Sequence, residues 1–437
     1  MTRSWEEAGR EGGEGVGIDA PVAAGADATA LPGVIVLGVD SQIGLAVVRE
    51  LGERGVRVFG IGRSARAVGL YSRHLAEGFV HAGRDEALLA LMCEIARTRL
   101  APLVMTISEG DILFLNRNRE HLPGLKLLIP DLAAIERVID KDYVYARAAE
   151  LGMRVPRAVD PNDTGGIVPT GALSLPVVLK WAYPNRAIPR LRSHGLTFHK
   201  AEYCHSEDAL RAALARYAPM GYYPLVQEYA AGRGLGHMIY LHRGEPVLRF
   251  QHLRRHEWPP EGGYSTQCVS LPADGHAALM AQSVALLRAV GWDGPAMVEY
   301  RYDETSGAAV LMEINGRFWG SLPLAYHAGA RFAWLLYWLK GLERAVPADA
   351  GEYRAGVTCR FGLPELKRLW RIVFRPGLIQ DHSLHFSPVG EIMAYVGYFL
   401  NPRNRYYVFS LRDPRPFIQD MLGLLRRAVP GRRGEAR

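Results

Sequence analysis

Near the start of the chain, Val34-Ile-Val-Leu-Gly38-Val-Asp40 is a short apolar run that ends in a glycine turn. Ser41 to Leu51 then carries apolar residues at helical spacing, and Val56-Arg-Val-Phe-Gly-Ile61 is a second apolar strand. That order of strand, glycine turn, helix and strand opens a doubly wound parallel sheet, which sets the fold class as α/β. Another apolar stretch, Leu103-Val-Met-Thr-Ile107, runs into the polar Ser108-Glu109-Gly110-Asp111. Open α/β sheets bind ligands at the carboxyl ends of their strands, so Glu109 is a candidate acceptor-substrate contact; capping the next helix is its other reading. Leu132 to Leu151 reads as one helix, stopped by Gly152 and Pro156.

The most informative pattern is a hairpin. Pro295 to Tyr302 and Val310 to Arg317 are apolar and aromatic arms joined by a polar turn over Asp303 to Gly307. A turn centred near Ser306 sets Glu299 opposite Glu313, and strand alternation places Asn315 on the face of Glu313. Two carboxylates and an amide oxygen on one side form a site for a hard cation such as Mg²⁺, with Mn²⁺ as an alternative. Arg317, just beyond, suits a planar anion. Opposed carboxylates repel, which favours a bridging cation; a solvated hairpin with facing acids is the competing reading.

The 437 residues, about half of them apolar, supply two or three domains with their own cores. Cys93, Cys204, Cys268 and Cys359 have neither CxxC nor His-linked spacing, so disulfides and zinc are not indicated. No apolar run is long enough to span a bilayer and no signal peptide opens the chain, giving an expectation of a cytoplasmic protein. Residues 1–30 are rich in Gly, Ala and Glu without periodicity and are expected to be a disordered tail. Of a dinucleotide fingerprint only Gly38 fits, since Asp40 stands at the second glycine and Gly44 is one residue late, which argues against NAD.

Glu-x-Asn-x-Arg on one strand, with an acid on its hairpin partner, resembles the metal-binding strands of the ATP-grasp superfamily. That group includes carbamoyl phosphate synthetase, D-alanine and D-aspartate ligases and biotin carboxylase. The resemblance runs over roughly residues 33 to 330 and points to its bacterial carboxylate-amine ligase-like proteins. It implies an N-terminal doubly wound domain over 31–130 and an α+β ATP-grasp domain over 131–345. Within the latter, the lid covers about 157–228 and the central domain about 229–345, followed by a mainly helical region over 346–437. It also implies ATP and Mg²⁺, the metal held by Glu299, Glu313 and Asn315. Lys141 and Lys180, the latter closing Leu175-Pro-Val-Val-Leu-Lys180, would contact ATP. Gln227, Glu228 and Tyr229 resemble the hinge that meets adenine. In Phe250 to Thr266, Arg254 or Arg255 would steady an acyl-phosphate, and Ser265 or Thr266 the acyl donor, with a salt-bridged structural loop as the alternative. Arg317 would stabilise charge on the transferred phosphoryl group.

The chain departs from the superfamily pattern in three places. Residues 184–200, where a glycine-rich phosphate loop belongs, carry Arg186, Arg190, Arg192, His194 and Lys200 with Gly195 as the sole glycine. Either the guanidinium groups grip phosphate or this is a basic surface loop. No acid follows Gly232 for ribose, leaving His237 as the stand-in. The basic, aromatic segments after residue 345 read as a packed helical appendage or as a surface for anionic membrane. The net charge of +7 comes without a nucleic-acid-reading motif, so no nucleic acid is expected. The resulting expectation is an ATP-dependent ligase that makes an acyl-phosphate and couples it to an amine, with small-molecule carboxylate and amine substrates and a homodimer as the superfamily's prior. The alternatives are a carboxylate or carbamoyl kinase-type enzyme with another acceptor, and a nucleotide-binding module without turnover.

Overall fold

A computed structural model describes residues 31–199, 201–381 and 384–428. The expected tail over 1–30, Lys200 and the basic end from residue 429 lie outside them.

The parallel sheet forms as the apolar runs require. β1 (Val34–Leu37), α1 (Gln42–Gly52), β2 (Val58–Gly62), β3 (Glu77–Val80), α2 (Glu86–Arg99), β4 (Leu103–Thr106), α3 (Glu109–Arg117) and β5 (Lys126–Leu127) build a five-stranded sheet. Its order is β3-β2-β1-β4-β5, parallel throughout. Ser41 caps α1 and Ser108 caps α3 through their side chains, which starts each helix immediately beyond a strand end.

The predicted single helix over 132–151 is two helices, α4 (Leu132–Ile139) and α5 (Lys141–Glu150). Asp140 breaks the run at ψ 102°, where its carboxylate accepts from the backbone N–H groups of Asp142 and Tyr143. An aspartate gains more as an N-cap than inside a helix, so Lys141 begins a helix instead of lying within one.

β6 (Ala158–Val159), β7 (Val177–Lys180), α6 (Pro184–Ser193), β8 (Glu202–Cys204), α7 (Glu207–Tyr217) and β9 (Leu225–Glu228) form a small layer. Its antiparallel sheet is ordered β6-β9-β7-β8 and closes over a core of its own that includes Val177, Leu179, Trp181, Leu191 and Tyr217. The arginine-rich stretch expected as a loop is largely α6. Ala187 and Leu191 bury its inner face, while Arg186 and Arg190 lie over the rings of Tyr183 and Tyr222.

The largest sheet has β10 (Arg233–His242), β11 (Glu245–Trp258), β12 (Tyr264–Ser270), β13 (Gly294–Tyr302) and β14 (Ala309–Asn315), with α8 (Ala277–Ala289) between β12 and β13. After α9 (Leu322–Ala328) and α10 (Phe332–Leu335), the C-terminal region adds β15 (Thr358–Arg360), α11 (Gly362–Phe374), α12 (Pro388–Leu400), β16 (Arg405–Tyr406) and α13 (Arg415–Ala428). Seven strands result, ordered β14-β13-β10-β11-β12-β15-β16. The C-terminal region is thus helical with two short strands that extend the central sheet. One continuous core joins α8 and this sheet to α4, α5 and the parallel sheet, through residues such as Ile135, Val144, Leu287 and Ile314.

The first helix also meets the C-terminal region. Arg49 of α1, buried to 2%, donates to Asp413 Oδ2 at 3.0 Å and to the carbonyl of Val408 at 2.9 Å. Asp413 further accepts from the Ser72 hydroxyl at 2.7 Å and the Arg73 N–H at 2.9 Å.

Candidate functional site

A cleft of about 330 Å³ opens between the small antiparallel sheet and the β13–β14 hairpin. Strand alternation puts the hairpin's acids on its floor. Glu299 and Glu313 are register partners, and the Asn315 amide donates to Glu313 at 3.3 Å. Lys141, on the first turn of α5, stands 3.4 Å from Glu313. From the opposite wall, Lys180 at the end of β7 donates to the Gln227 side-chain oxygen at 3.0 Å. Val178, Leu225, Met312 and Tyr145 give the cleft its apolar surfaces. The Tyr145 hydroxyl donates to the carbonyl of Met312 at 2.8 Å; burial, then the nearby Glu313 charge, pushes its pKa up to about 12.

At the end of β9, Glu228 and Tyr229 already use their backbone N–H groups, on the carbonyls of Arg157 at 2.8 Å and Pro176 at 3.3 Å. The Glu228 carboxylate faces Arg157 at 3.4 Å, and the Tyr229 hydroxyl donates to Asp381 at 2.7 Å. Gln227, Glu228 and Tyr229 all line the cleft.

A ladder of alternating charge crosses the cleft floor. Arg301 pairs with Glu257 at 3.0 Å, Glu257 with Arg254 at 3.1 Å, and Arg254 with Glu299 at 2.6 Å. Burial works against the Arg254 charge, yet the carboxylates of Glu299 and Glu257 overcome it and hold its pKa above the usual arginine value. Burial likewise penalises the Glu257 charge, but Arg301 and Arg254 keep its pKa below the ordinary carboxylate value. The ladder spans β10 because Gly234 lies beneath it, where a Cβ would come within 2.5 Å of Arg254 Cδ.

The donors suit a small hard cation. Among the described residues no group of three or more His, Cys, Asp or Glu side chains is arranged to hold a metal. Glu299, Glu313 and Asn315 would offer such a cation two opposed carboxylates and an amide oxygen, a set that leaves room for further oxygen ligands. Lys141 and Lys180 line the same cleft.

No family model matches the chain and no curated protein matches it by sequence. Its structure is nevertheless similar to solved enzymes. Biotin carboxylase from Campylobacter jejuni, solved with an ATP analogue, aligns at a TM-score of 0.56 and 14% identity, covering 75% of this chain and 74% of that one. L-amino acid ligase from Bacillus licheniformis aligns at 0.54 and 16% identity, covering 75% and 78%. The biotin carboxylase domain of Hydrogenobacter thermophilus 2-oxoglutarate carboxylase, solved with magnesium ADP and bicarbonate, aligns at 0.55 and 15%, covering 75% and 73%. The chain has the ATP-grasp fold.

On this ATP-grasp framework the other expected residues separate. Arg317 and Glu109 meet each other, Nε to Oε1 at 3.2 Å, beside the carboxyl end of the parallel sheet and outside the lining of the main cleft. Arg255 is exposed and absent from the cleft lining, whereas its neighbour Arg254 enters it. Thr266 is buried with its hydroxyl on Glu365 at 2.5 Å, and Ser265 is buried beside Cys268 and Tyr407; neither reaches the cleft. His237 is buried with its ring on the Ser283 hydroxyl at 2.9 Å, which removes it from ribose contact. Sequence reasoning missed Glu257, Arg301, Tyr203 and Glu261 in the lining. Arg301 was findable, because it stands two residues after Glu299 on the same strand face.

Proposed function

We propose that the protein is an ATP-dependent ligase that activates a carboxylate as an acyl-phosphate and couples it to an amine. The observation that carries this reading is the cleft itself, in which the opposed acids Glu299 and Glu313 face Lys141 and Lys180. An amide forms from a carboxylate in water only when the departing oxygen is made a better leaving group, which the γ-phosphoryl group of ATP provides. In this reading Glu299, Glu313 and Asn315 hold Mg²⁺, which supplies charge neutralisation to phosphate oxygens when bound. Lys141 and Lys180 hold the remaining anionic oxygens, and Gln227, Glu228 and Tyr229 line the adenine end. Arg254 keeps Glu299 in place as a member of the ladder. Arg317 presents a planar fork to the carboxylate or to the phosphoryl group moving onto it. No nucleophilic side chain is required, because positioning and charge neutralisation account for the acceleration.

The test is ADP release from the purified chain with Mg-ATP, against pooled carboxylates combined with pooled amines and against each pool alone. Release that needs both pools, with a product lighter than its two parents by one water, supports the ligase. Release driven by the acid pool alone supports the kinase-type alternative. ATP binding with no stimulated release by any pool counts against both and favours a module without turnover.

A further inference from the structure

Helices α11 and α12 pack against each other and leave unusual apolar faces in water. On α11 the exposed residues are Leu366, Trp370 and Phe374, each one helical step of four from the last, with Trp370 58% and Phe374 60% exposed. On α12 they are Val389, Ile392, Met393, Val396, Phe399 and Leu400, again at helical spacing and on one side. The inner side of α12 is fixed. Arg360 lies under Tyr398 at 3.6 Å and Tyr395 at 4.7 Å from their ring centroids, so the helix cannot roll its apolar stripe inward without losing these contacts. A run of ring contacts through Phe399, Tyr406, Phe409 and Phe417 continues to α13, which exposes Ile418 and Leu422.

The charges of this region are sorted by sign. Lys367 and Arg375 beside the α11 stripe and Arg403 just past α12 are exposed, as are Arg412 and Arg415 at the approach to α13. Glu365, Asp381 and Asp413 are buried, Glu391 is gripped by Arg368 at 2.7 and 3.1 Å, and Asp420 is half-buried. An exposed apolar surface bordered by cations matches an acidic lipid surface, where acyl chains accept the stripe and headgroups the charges. A second copy fits poorly, since a symmetric contact would bring one basic rim against another. Spanning is excluded for these helices: none among the described residues is long and apolar enough to cross a membrane.

We propose that the α11–α12 face docks the protein on anionic lipid, lying in the headgroup boundary. The same segment reaches the cleft. Arg371, next to Trp370, stands 3.6 Å from Glu261 in the cleft lining and over the Trp258 ring, so docking places the cleft rim near the lipid surface.

The test is flotation of the full chain with phosphatidylcholine vesicles and with phosphatidylcholine–phosphatidylglycerol vesicles. The expected result is binding about tenfold stronger to the acidic vesicles, weakened by salt. The Trp370→Ser/Phe374→Ser/Met393→Ser variant should lose it with an unchanged unfolding midpoint. The Lys367→Glu/Arg375→Glu variant provides an independent reading and should bind about tenfold less. Wild-type chain that floats with neither vesicle, or either folded variant that floats as well as wild type, overturns the proposal. So does a wild-type dimer in sedimentation equilibrium that the triple variant converts to monomer, because a second copy then covers the face.

Discussion

Arg317, two residues past the end of β14, reaches across to Glu109, the first residue of α3, and the two side chains pair at 3.2 Å. The contact ties the strand that carries Glu313 to the carboxyl end of the parallel sheet. If Arg317 acts on a substrate anion there, its geometry matters as well as its charge. Arg317→Lys should then lose turnover nearly as far as Arg317→Ala, roughly 10²-fold or more, because lysine cannot reproduce the fork. Steady-state ADP release for the two variants checks this, and a lysine variant close to wild type would remove the role.

Glu313→Ala should abolish Mg-ATP turnover and leave the thermal unfolding midpoint within a few degrees of wild type. Its carboxylate is partly exposed and its direct ion pair with Lys141 at 3.4 Å lies half in water, so its removal costs stability little. Turnover preserved in the folded variant would take the metal assignment with it.

Arg254 and Arg255 are adjacent in sequence and opposite in consequence. Removing Arg254 leaves Glu257 and Glu299 without their shared cation in a buried setting, a change expected to cost about 3–5 kcal/mol. Arg255→Ala, at an exposed position, should fall within about 0.5 kcal/mol of wild type. Urea unfolding of both variants measures the contrast; similar values for the two would mean the ladder contributes nothing to stability.

Glu50 sets a pH dependence away from the cleft. Its carboxyl is buried and accepts the Trp334 N–H at 2.8 Å, and burial pushes its pKa up to about 7. Because the folded value exceeds the unfolded one, the folded state retains the proton longer. Stability from this group is therefore present below pH ~4.5 and is lost as pH rises through about 7, by at most about 3 kcal/mol. Glu50→Gln should flatten the urea midpoint between pH 5 and 8, and an undiminished slope would assign the dependence elsewhere.

The hairpin was legible in the sequence from its apolar arms and polar turn, and Glu299 does stand opposite Glu313, but a bulge between Glu299 and Tyr300 brings them together, since the register at the turn sets Tyr302 against Ala309. The parallel sheet was legible for the same local reasons. Around Arg254 that reasoning fails: β11 has register shifts between Arg254 and His256 and between His256 and Glu257, so Arg254 and Glu257 share a face although three residues apart. Thr266 was misplaced because its partner Glu365 is 99 residues away, on a helix whose packing no local pattern announces. The Gly-Arg-Gly-Leu-Gly run at 232–236 carried a signal that went unread. Gly234 leaves the space that Arg254 and Glu257 use, while a Cβ on Gly232 would meet the Tyr302 backbone and one on Gly236 the His252 and Met297 side chains.

The pairing of Arg49 with Asp413 spans 364 residues and bears on how the chain is made. A guanidinium in the first described helix finds its carboxylate only once residue 413 has been synthesised, and Asp413 at the same moment gains the Ser72 hydroxyl and the Arg73 N–H. The seam between α1 and the C-terminal region therefore closes as a late event in folding, after the stretch between them has been made.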